Sequence, residues 1–456
     1  MFKHSNLCAI QLAACLGFFV VQLDVSVVNV GLAALKHDLH INLTGLQWII
    51  NSYALVFSAL LILGGGLGDR WGAKIVFAVG FAIFTLGSLG CGLSFDMSSL
   101  IITRCIQGLG AALMIPTSLT LLRLNFSDPQ KRKTAVAFWG ASGGIALAAG
   151  PVIGGFMIEH VGWRSVFLIN VPLGLIALFL ALRFTPASPK VEKHLDLLGL
   201  LTSAIAVACL TYALTEGGDA GWTASAPLVS MVIAVIAMAS FAVTQQRVAS
   251  PMLPGHLARN RVLLAMMLTG ATINLTFYGV VFVLSIYFQT VLQYDAVHTG
   301  LAFIPLTAVM TISSILSAKF GKRTSPLIIM AIGLCLQVIG FLLLSRFTPA
   351  DSALLFNAAL TIVGIGSAST VPAMNNTMLA SVTKEDSGIA SGLMSSARQV
   401  GGVVGVAVFG ALISKSDAFG FTQGMATAMF VCIGTLLLCL AVNLQWVPRK
   451  QELSPA

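Results

Sequence analysis

Gln22-Leu23-Asp24-Val25-Ser26-Val27-Val28-Asn29-Val30 places a carboxylate inside an apolar run that extends from about Leu7 to Leu35. Roughly 20 apolar residues suffice to cross a bilayer, so the run reads as a membrane span and Asp24 as a residue at membrane depth. An ionised carboxylate at that depth is costly unless it is protonated, paired or wetted, and such residues mark ion or substrate pathways. The first reading is therefore a proton-binding site in a transporter. The plainer one is an Asp that hydrogen-bonds a neighbouring helix, a task that apolar residues replace by packing at lower cost.

The rest of the chain repeats that apolar character. Of 456 residues, 57% are hydrophobic and 9% charged, against roughly 25% charged in soluble domains, so the fold class expected is an all-α polytopic membrane protein. Apolar runs broken by Gly, Pro and charge give fourteen spans, at about 7–35, 45–67, 74–94, 98–124, 134–158, 164–183, 196–216, 225–244, 261–291, 297–319, 325–346, 352–380, 386–414 and 422–447. The first is too long for a signal-peptide core and is expected to remain as a span. The eight cysteines show no metal-ligand spacing and read as small core residues.

Connections on one side carry nineteen basic residues: Lys3, Arg70, Lys74, Arg123, Lys131, Arg132, Lys133, Arg183, Lys190, Lys193, Arg247, Arg259, Arg261, Lys319, Lys322, Arg323, Lys384, Arg449 and Lys450. The other side carries only Lys36, Arg164, Arg346 and Lys415, and Arg104 and Arg398 fall inside spans. The positive-inside rule then puts both termini in the cytoplasm of a multi-pass inner or plasma membrane protein. The net charge of +9 thus reports orientation, and no nucleic-acid partner is implied.

An internal repeat supports the map. Ile106-Gln107-Gly108-Leu109-Gly110-Ala111-Ala112 with Pro116 matches Ile362-Val363-Gly364-Ile365-Gly366-Ser367-Ala368 with Pro372 at a constant offset, and Gly321-Lys322-Arg323 weakly echoes Gly68-Asp69-Arg70. Both copies share one orientation, which implies two parallel six-helix halves. Residues 1–185 form the N-terminal bundle, residues 186–254 a linker with two additional transmembrane helices, and residues 255–456 the C-terminal bundle. The two extra helices need not line a pathway, and packing or lipid contact is their plain role.

Gly65-Gly66-Leu67-Gly68-Asp69-Arg70-Trp71-Gly72-Ala73-Lys74 follows the second span, at a cytoplasmic turn. Glycines there permit a tight turn, and Asp69 is suited to cap the next helix or pair with a basic neighbour, which makes the turn a candidate latch. This stretch resembles the second-to-third loop pattern of the major facilitator superfamily, with Gly68 in place of Ala and Ala73 in place of Arg. Leu100, Arg104, Gln107, Gly108, Gly110, Ala111 and Ala112 match the same superfamily's fourth-helix pattern. Gly150-Pro151-Val152-Ile153-Gly154-Gly155 resembles its antiporter motif, where a Gly-Pro bend and small residues would close a leak-tight hinge. Three further stretches resemble the fourteen-span drug:proton antiporters: Leu23 to Val30, Trp163 to Gly174, and Gly388 to Gly402 with Arg398. The resemblance implies two six-helix bundles plus two helices, export by alternating access, and proton coupling through Asp24 assisted by Arg104. It implies gating at Gly65, Asp69, Arg70, Gly72, Gly150, Pro151, Gly154 and Gly155. It does not name the cargo.

In a two-bundle transporter the substrate sits near the midplane. Candidate lining residues are Gln22, Asn29, Asn51, Tyr53, Asn274, Tyr278, Tyr287, Gln289, Asn375, Asn376 and Arg398, each of which could equally be an interhelical hydrogen-bonding residue. Aromatic and Met side chains would suit lipophilic cations, and monovalent cations are favoured because Asp24 is the one acidic residue clearly mid-span. Arg398 leaves room for an anion. A dedicated exporter of one endogenous metabolite, amphiphile or lipid is the alternative within the fold, and a non-transporting membrane sensor the alternative of another class. No P-loop, metal constellation or soluble catalytic domain is seen, so neither an enzyme, a resident metal nor a cofactor is expected, and the proton gradient is the expected energy source. The partners expected are small lipophilic substrates, protons and membrane lipid, and each chain holds both halves of a pathway, as a functional monomer requires.

Overall fold

A computed structural model describes residues 4–190, 196–248, 251–320, 324–347, 352–383, 386–413 and 418–448. Gly321-Lys322-Arg323, and with them Lys3, Lys193, Lys384, Lys415, Arg449 and Lys450, lie outside these residues. The described residues are helical, with no strand among them. In chain order the helices are α1 His4–Val30, α2 Leu32–Asp38, α3 Leu43–Trp71, α4 Ala73–Gly92, α5 Met97–Asn125, α6 Pro129–Val161, α7 Ser165–Leu168, α8 Asn170–Phe184, α9 Leu197–Ala220, α10 Ser225–Arg247, α11 Gly255–Ala258, α12 Arg261–Ile286, α13 Ala296–Ala302, α14 Ile304–Phe320, α15 Pro326–Leu344, α16 Ala353–Ala380, α17 Ser387–Ile413 and α18 Ala418–Trp446. A π-helical turn at Tyr287–Val291 follows α12. Thirteen stretches are long and apolar enough to cross a membrane, or fourteen if α13 and α14, bent by 45° at Phe303, make one span.

Three expected spans are interrupted. The first breaks at Gly31, and Gln289 repairs the freed backbone there: its amide accepts from Ala33 N–H at 2.8 Å and donates to Val30 O at 2.6 Å. Gln289 is thereby occupied by backbone. The sixth breaks between α7 and α8. Pro172 has no N–H to offer Leu168 O, so the helical ladder lapses one turn earlier. The tenth is the bent α13–α14 pair.

The chain divides into two compact units, residues 1–252 with 284–301, and residues 253–283 with 302–456. Residues 284–301 therefore group with the first unit, although the repeat assigns them to 255–456. Gln289 accounts for part of this. The rest comes from α6, where a Cβ on Gly155 would collide with Ala296 O and one on Gly300 with Pro151 O.

Within the first unit α5 is the central helix, packed between α3 and α4. Small residues set the spacing: a Cβ on Gly64 would strike Ala112 O, and one on Gly110 would strike Phe84 N and Gly80 O. Phe77, Phe81, Phe84, Tyr53 and Phe57 fill the core around Ala111, Ala112 and Met114. The extra helices α9 and α10 pair with each other, and α9 docks on α3 through Trp48, whose Nε1 donates to Glu216 at 2.8 Å. Asp196 ties the inner end of the pair, accepting from Gly199 N–H, Gln245 Nε2 and Met252 N–H.

The second unit repeats the arrangement internally, with α16 between α14 and α15. Gly366, the counterpart of Gly110, lies against Gly333 and Gln337, and Gly364, the counterpart of Gly108, against Leu306 and Val309. The counterparts of Arg104 and Gln107 are Leu360 and Val363, both buried apolar residues.

Candidate functional site

Five helices of the first unit converge on Asp24. Arg104, one face of α5, extends its Nη1 to Asp24 Oδ2 at 2.5 Å. The same nitrogen donates to Gln107 Oε1 at 2.7 Å, and Nε donates to the Ile49 carbonyl of α3 at 3.1 Å. Gln107, three residues on and so on the same face, donates from Nε2 to Asp24 Oδ1 and to Ser88 Oγ of α4, both at 2.8 Å. Asn170, the first residue of α8, donates to Asp24 Oδ1 at 3.3 Å. The guanidinium carbon stands 4.3 Å from the centroid of the Tyr53 ring, a cation–π contact. Asp24, Gln107, Ser88 and Asn170 are fully buried, and Arg104 and Tyr53 are 1% exposed.

The charge pair is thus dry and almost fully saturated. Asn170 Oδ1 is a buried acceptor without a hydrogen-bond partner among the described residues. An ionised carboxylate takes three donors here, and a buried pair of this kind holds only while both charges persist, since removing either strands the other. Protonating Asp24 cancels its charge and removes the Coulombic reason for Arg104 to stay.

α6 braces this site from α1. Gly150 lies against Ser26 and Gly154 against Val27, two and three residues after Asp24, while Ser26 Oγ donates to Leu147 O at 3.0 Å. α6 runs through Pro151 without a break. At the end of α1 the chain is held by a second, exposed pair. Asp38 of α2 accepts from Trp163 Nε1 at 2.7 Å and from Arg164 at 2.9 Å, and Arg164 also donates to Ser94 O. The Trp163 hydrogen bond first, and then Arg164, hold the Asp38 carboxyl below its ordinary range.

The expected latch differs from its sequence reading. α3 continues to Trp71, so Gly65, Gly68, Asp69 and Arg70 lie in its last turns, and only Gly72, at φ 95°, makes the turn. Asp69 does not cap α4: Gly72 occupies the cap position, and Lys74 N–H is taken by Ser188 Oγ at 3.0 Å. Gly68 serves packing, facing Thr117.

The lining set scatters. Asn29 donates to the Val25 carbonyl of its own helix and is 4% exposed, Tyr53 lies under Arg104, and Tyr287 is fully buried in the π turn. Asn51 is fully buried with neither amide atom hydrogen-bonded among the described residues. Gln22 and Asn375 are half-buried, and Asn376 is exposed. In the second unit Arg398 of α17 meets Asn274 of α12 at 3.4 Å, beside the half-buried Tyr278. Gln107, Ser88 and Asn170 were not read as site residues. Gln107 alone carried a signal, its spacing from Arg104.

The Major Facilitator Superfamily pattern matches residues 14–406. The chain belongs to this superfamily. A methylenomycin A resistance protein of Bacillus subtilis is 32% identical over 440 residues, 96% of this chain and 94% of that protein. A tetracenomycin C resistance and export protein of Streptomyces glaucescens is 33% identical over 93% of this chain and 79% of its own length. Among solved structures, a POT family transporter in complex with a thioalcohol-conjugated peptide superposes with a TM-score of 0.71 at 16% identity, covering 97% of each chain. The all-α fold, with thirteen or fourteen candidate spans among the described residues, is consistent with the superfamily's, and its resistance relatives place this member among multi-pass membrane transporters of small molecules.

Proposed function

We propose that the chain exports small lipophilic compounds across the plasma membrane in exchange for protons, with Asp24 as the proton-exchanging group and Arg104 as the cation that holds it when ionised. The observation that carries this is the buried Asp24–Arg104 pair, joined by Gln107, Ser88 and Asn170 from separate helices. Such a site has two self-consistent states. Ionised Asp24 locks α1 to α5, α4 and α8, and protonated Asp24 frees Arg104. A cargo that binds the ionised state more tightly than the protonated one expels the proton, and by linkage the proton expels the cargo. The basic asymmetry of the connections puts both termini in the cytoplasm, so protons enter from the opposite face.

Resistance to an antibiotic is the role in the names of both similar proteins, and export in that of one. Export is supported here by fold, by the antiporter-like Gly150–Gly155 motif packed against α1 beside Asp24, and by a buried Asp24–Arg104 pair where the repeat has apolar Leu360 in place of Arg104. The test uses purified protein in lipid vesicles with methylenomycin A and tetracenomycin C as cargo. An imposed pH gradient should drive their flux through the wild type, and Asp24→Asn, which keeps the shape but cannot exchange a proton, should abolish gradient-driven flux. Undiminished gradient-driven flux in that variant overturns the assignment.

A further inference from the structure

Two arginines lie inside membrane spans, and their surroundings are opposite. Arg104 is saturated by a carboxylate, an amide and a backbone carbonyl. Arg398 has one long contact, Nε to Asn274 Oδ1 at 3.4 Å, and no ion pair among the described residues. It stands eleven residues into α17, counted from Ser387 (398 minus 387), about 16 Å along the helix. No acidic residue falls inside α12 or α14 to α18. A guanidinium cannot shed its charge, and a charge at membrane depth needs a counter-charge or water. The second unit supplies no counter-charge within its own spans.

The local packing holds the side chain in place. α17 closes on α12 because Gly401 and Gly405 lack side chains, since a Cβ on either would strike the carbonyls of Ala271 and Leu275. One turn away, Gly270 makes room for the Arg398 stem: a Cβ there would stand 2.8 Å from Arg398 Cγ and 3.0 Å from Met394 Sδ. Reciprocally, the Tyr278 ring of α12 lies on Gly402 of α17, where a Cβ would stand 2.8 Å from Cδ2. Phe277 sets its ring edge-on to Tyr278 at 5.3 Å. The result is a fixed cation whose Nη donors have no hydrogen-bond partner among the described residues, next to an amide oxygen and an aromatic surface.

We infer that Arg398, with Asn274 and Tyr278, is the subsite for an anionic group of the exported compound, so that the cargo class is lipophilic acids bearing a single carboxylate or comparable group. The planar donor fork matches a carboxylate two bonds at a time, and the neighbouring rings suit the apolar body. This replaces the cationic cargo favoured from sequence. A cation would have only Asp24 to attract it, and Asp24 is taken by Arg104. Exporting an anion against an inward proton also moves charge in one direction on both legs, so a membrane potential negative inside drives the cycle as well as the pH gradient does.

The inference rests on the exporter reading but not on proton coupling, and its test needs no gradient. Purified protein in lipid nanodiscs is titrated with pyrenebutyrate and with pyrenebutyltrimethylammonium, flat fluorescent amphiphiles of similar size and opposite charge. The wild type should bind the anion more tightly. Arg398→Gln should weaken the anion at least about tenfold while changing the cation by no more than about twofold, and Arg398→Lys should fall between. Asp24→Asn, a mimic of the protonated state that cargo binds less tightly, should lower affinity but keep the wild-type preference for the anion over the cation, which separates failure of the subsite from failure of the proton reading. A wild-type preference for the cation, or an Arg398→Gln variant that loses both probes alike, overturns the inference. If Arg398→Gln does not fold, the wild-type preference and the Arg398→Lys ratio decide it.

Discussion

Arg104 donates to Asp24, Gln107 and the Ile49 carbonyl, and this sharing decides what losing either charge does. Truncating one partner of a buried pair costs about 3–5 kcal/mol, because the other charge is left in a dry site, whereas replacing both is close to neutral. Arg104→Met should therefore lower thermal stability by about that amount in detergent, and Asp24→Asn combined with Arg104→Met should recover most of it. Equal destabilisation by the single and double variants would mean the pair is not the energetic unit described. At this scale the sequence was informative where a charge interrupts an apolar run, as at Asp24, Arg104 and Arg398. It was mute about Ser88 and Asn170. A serine and an asparagine in a membrane helix are ordinary residues until separate helices bring the asparagine to the Asp24 carboxylate and the serine to the Gln107 amide that holds it.

Helices were legible because each span is a long apolar run, and their interruptions were not. The break at Gly31 depends on Gln289, far along the chain, to take up the stranded backbone groups, and no local pattern announces that. The latch region likewise departs from its local pattern. α3 stays helical through Gly65 to Trp71, with Gly68 packed on Thr117, and the turn falls at Gly72 and not across the Gly-rich stretch. Where α2 meets α7, Asp38 joins Trp163 and Arg164. A carboxyl held below its unfolded value stabilises its element above the unfolded value and loses that contribution as pH falls through the folded one. The protection factors of the Leu32–Asp38 amides, exchange rates corrected for their intrinsic pH dependence, should thus be constant near neutrality and fall only below the ordinary carboxylate range, near 4. Asp38→Asn should show the faster exchange already at neutral pH, and an unchanged exchange rate in that variant would dissociate the lock from the helix.

Over the whole molecule, the repeat read from Gly108, Gly110 and Pro116 reappears as matched packing inside each unit: Gly110 on Gly80 and Phe84, Gly366 on Gly333 and Gln337. What the repeat could not foretell is the asymmetry of charge. One half keeps Arg104 and Gln107 around Asp24, and the other carries Leu360 and Val363 at the matching places and, on α17, an Arg398 with no ion pair among the described residues. Proton exchange and cargo charge are in this account assigned to different halves, with the two extra helices α9 and α10, mostly exposed along their lengths, outside both. The central claim is that Asp24 alternates between an ionised form held by Arg104 and a protonated one. Infrared difference spectra of the purified protein in lipid, recorded as pH is lowered, test it without any cargo. The account predicts a protonated-carboxyl band in the wild type that is missing from Asp24→Asn, and a band that persists unchanged in that variant, or never appears in the wild type while it remains folded, would contradict it.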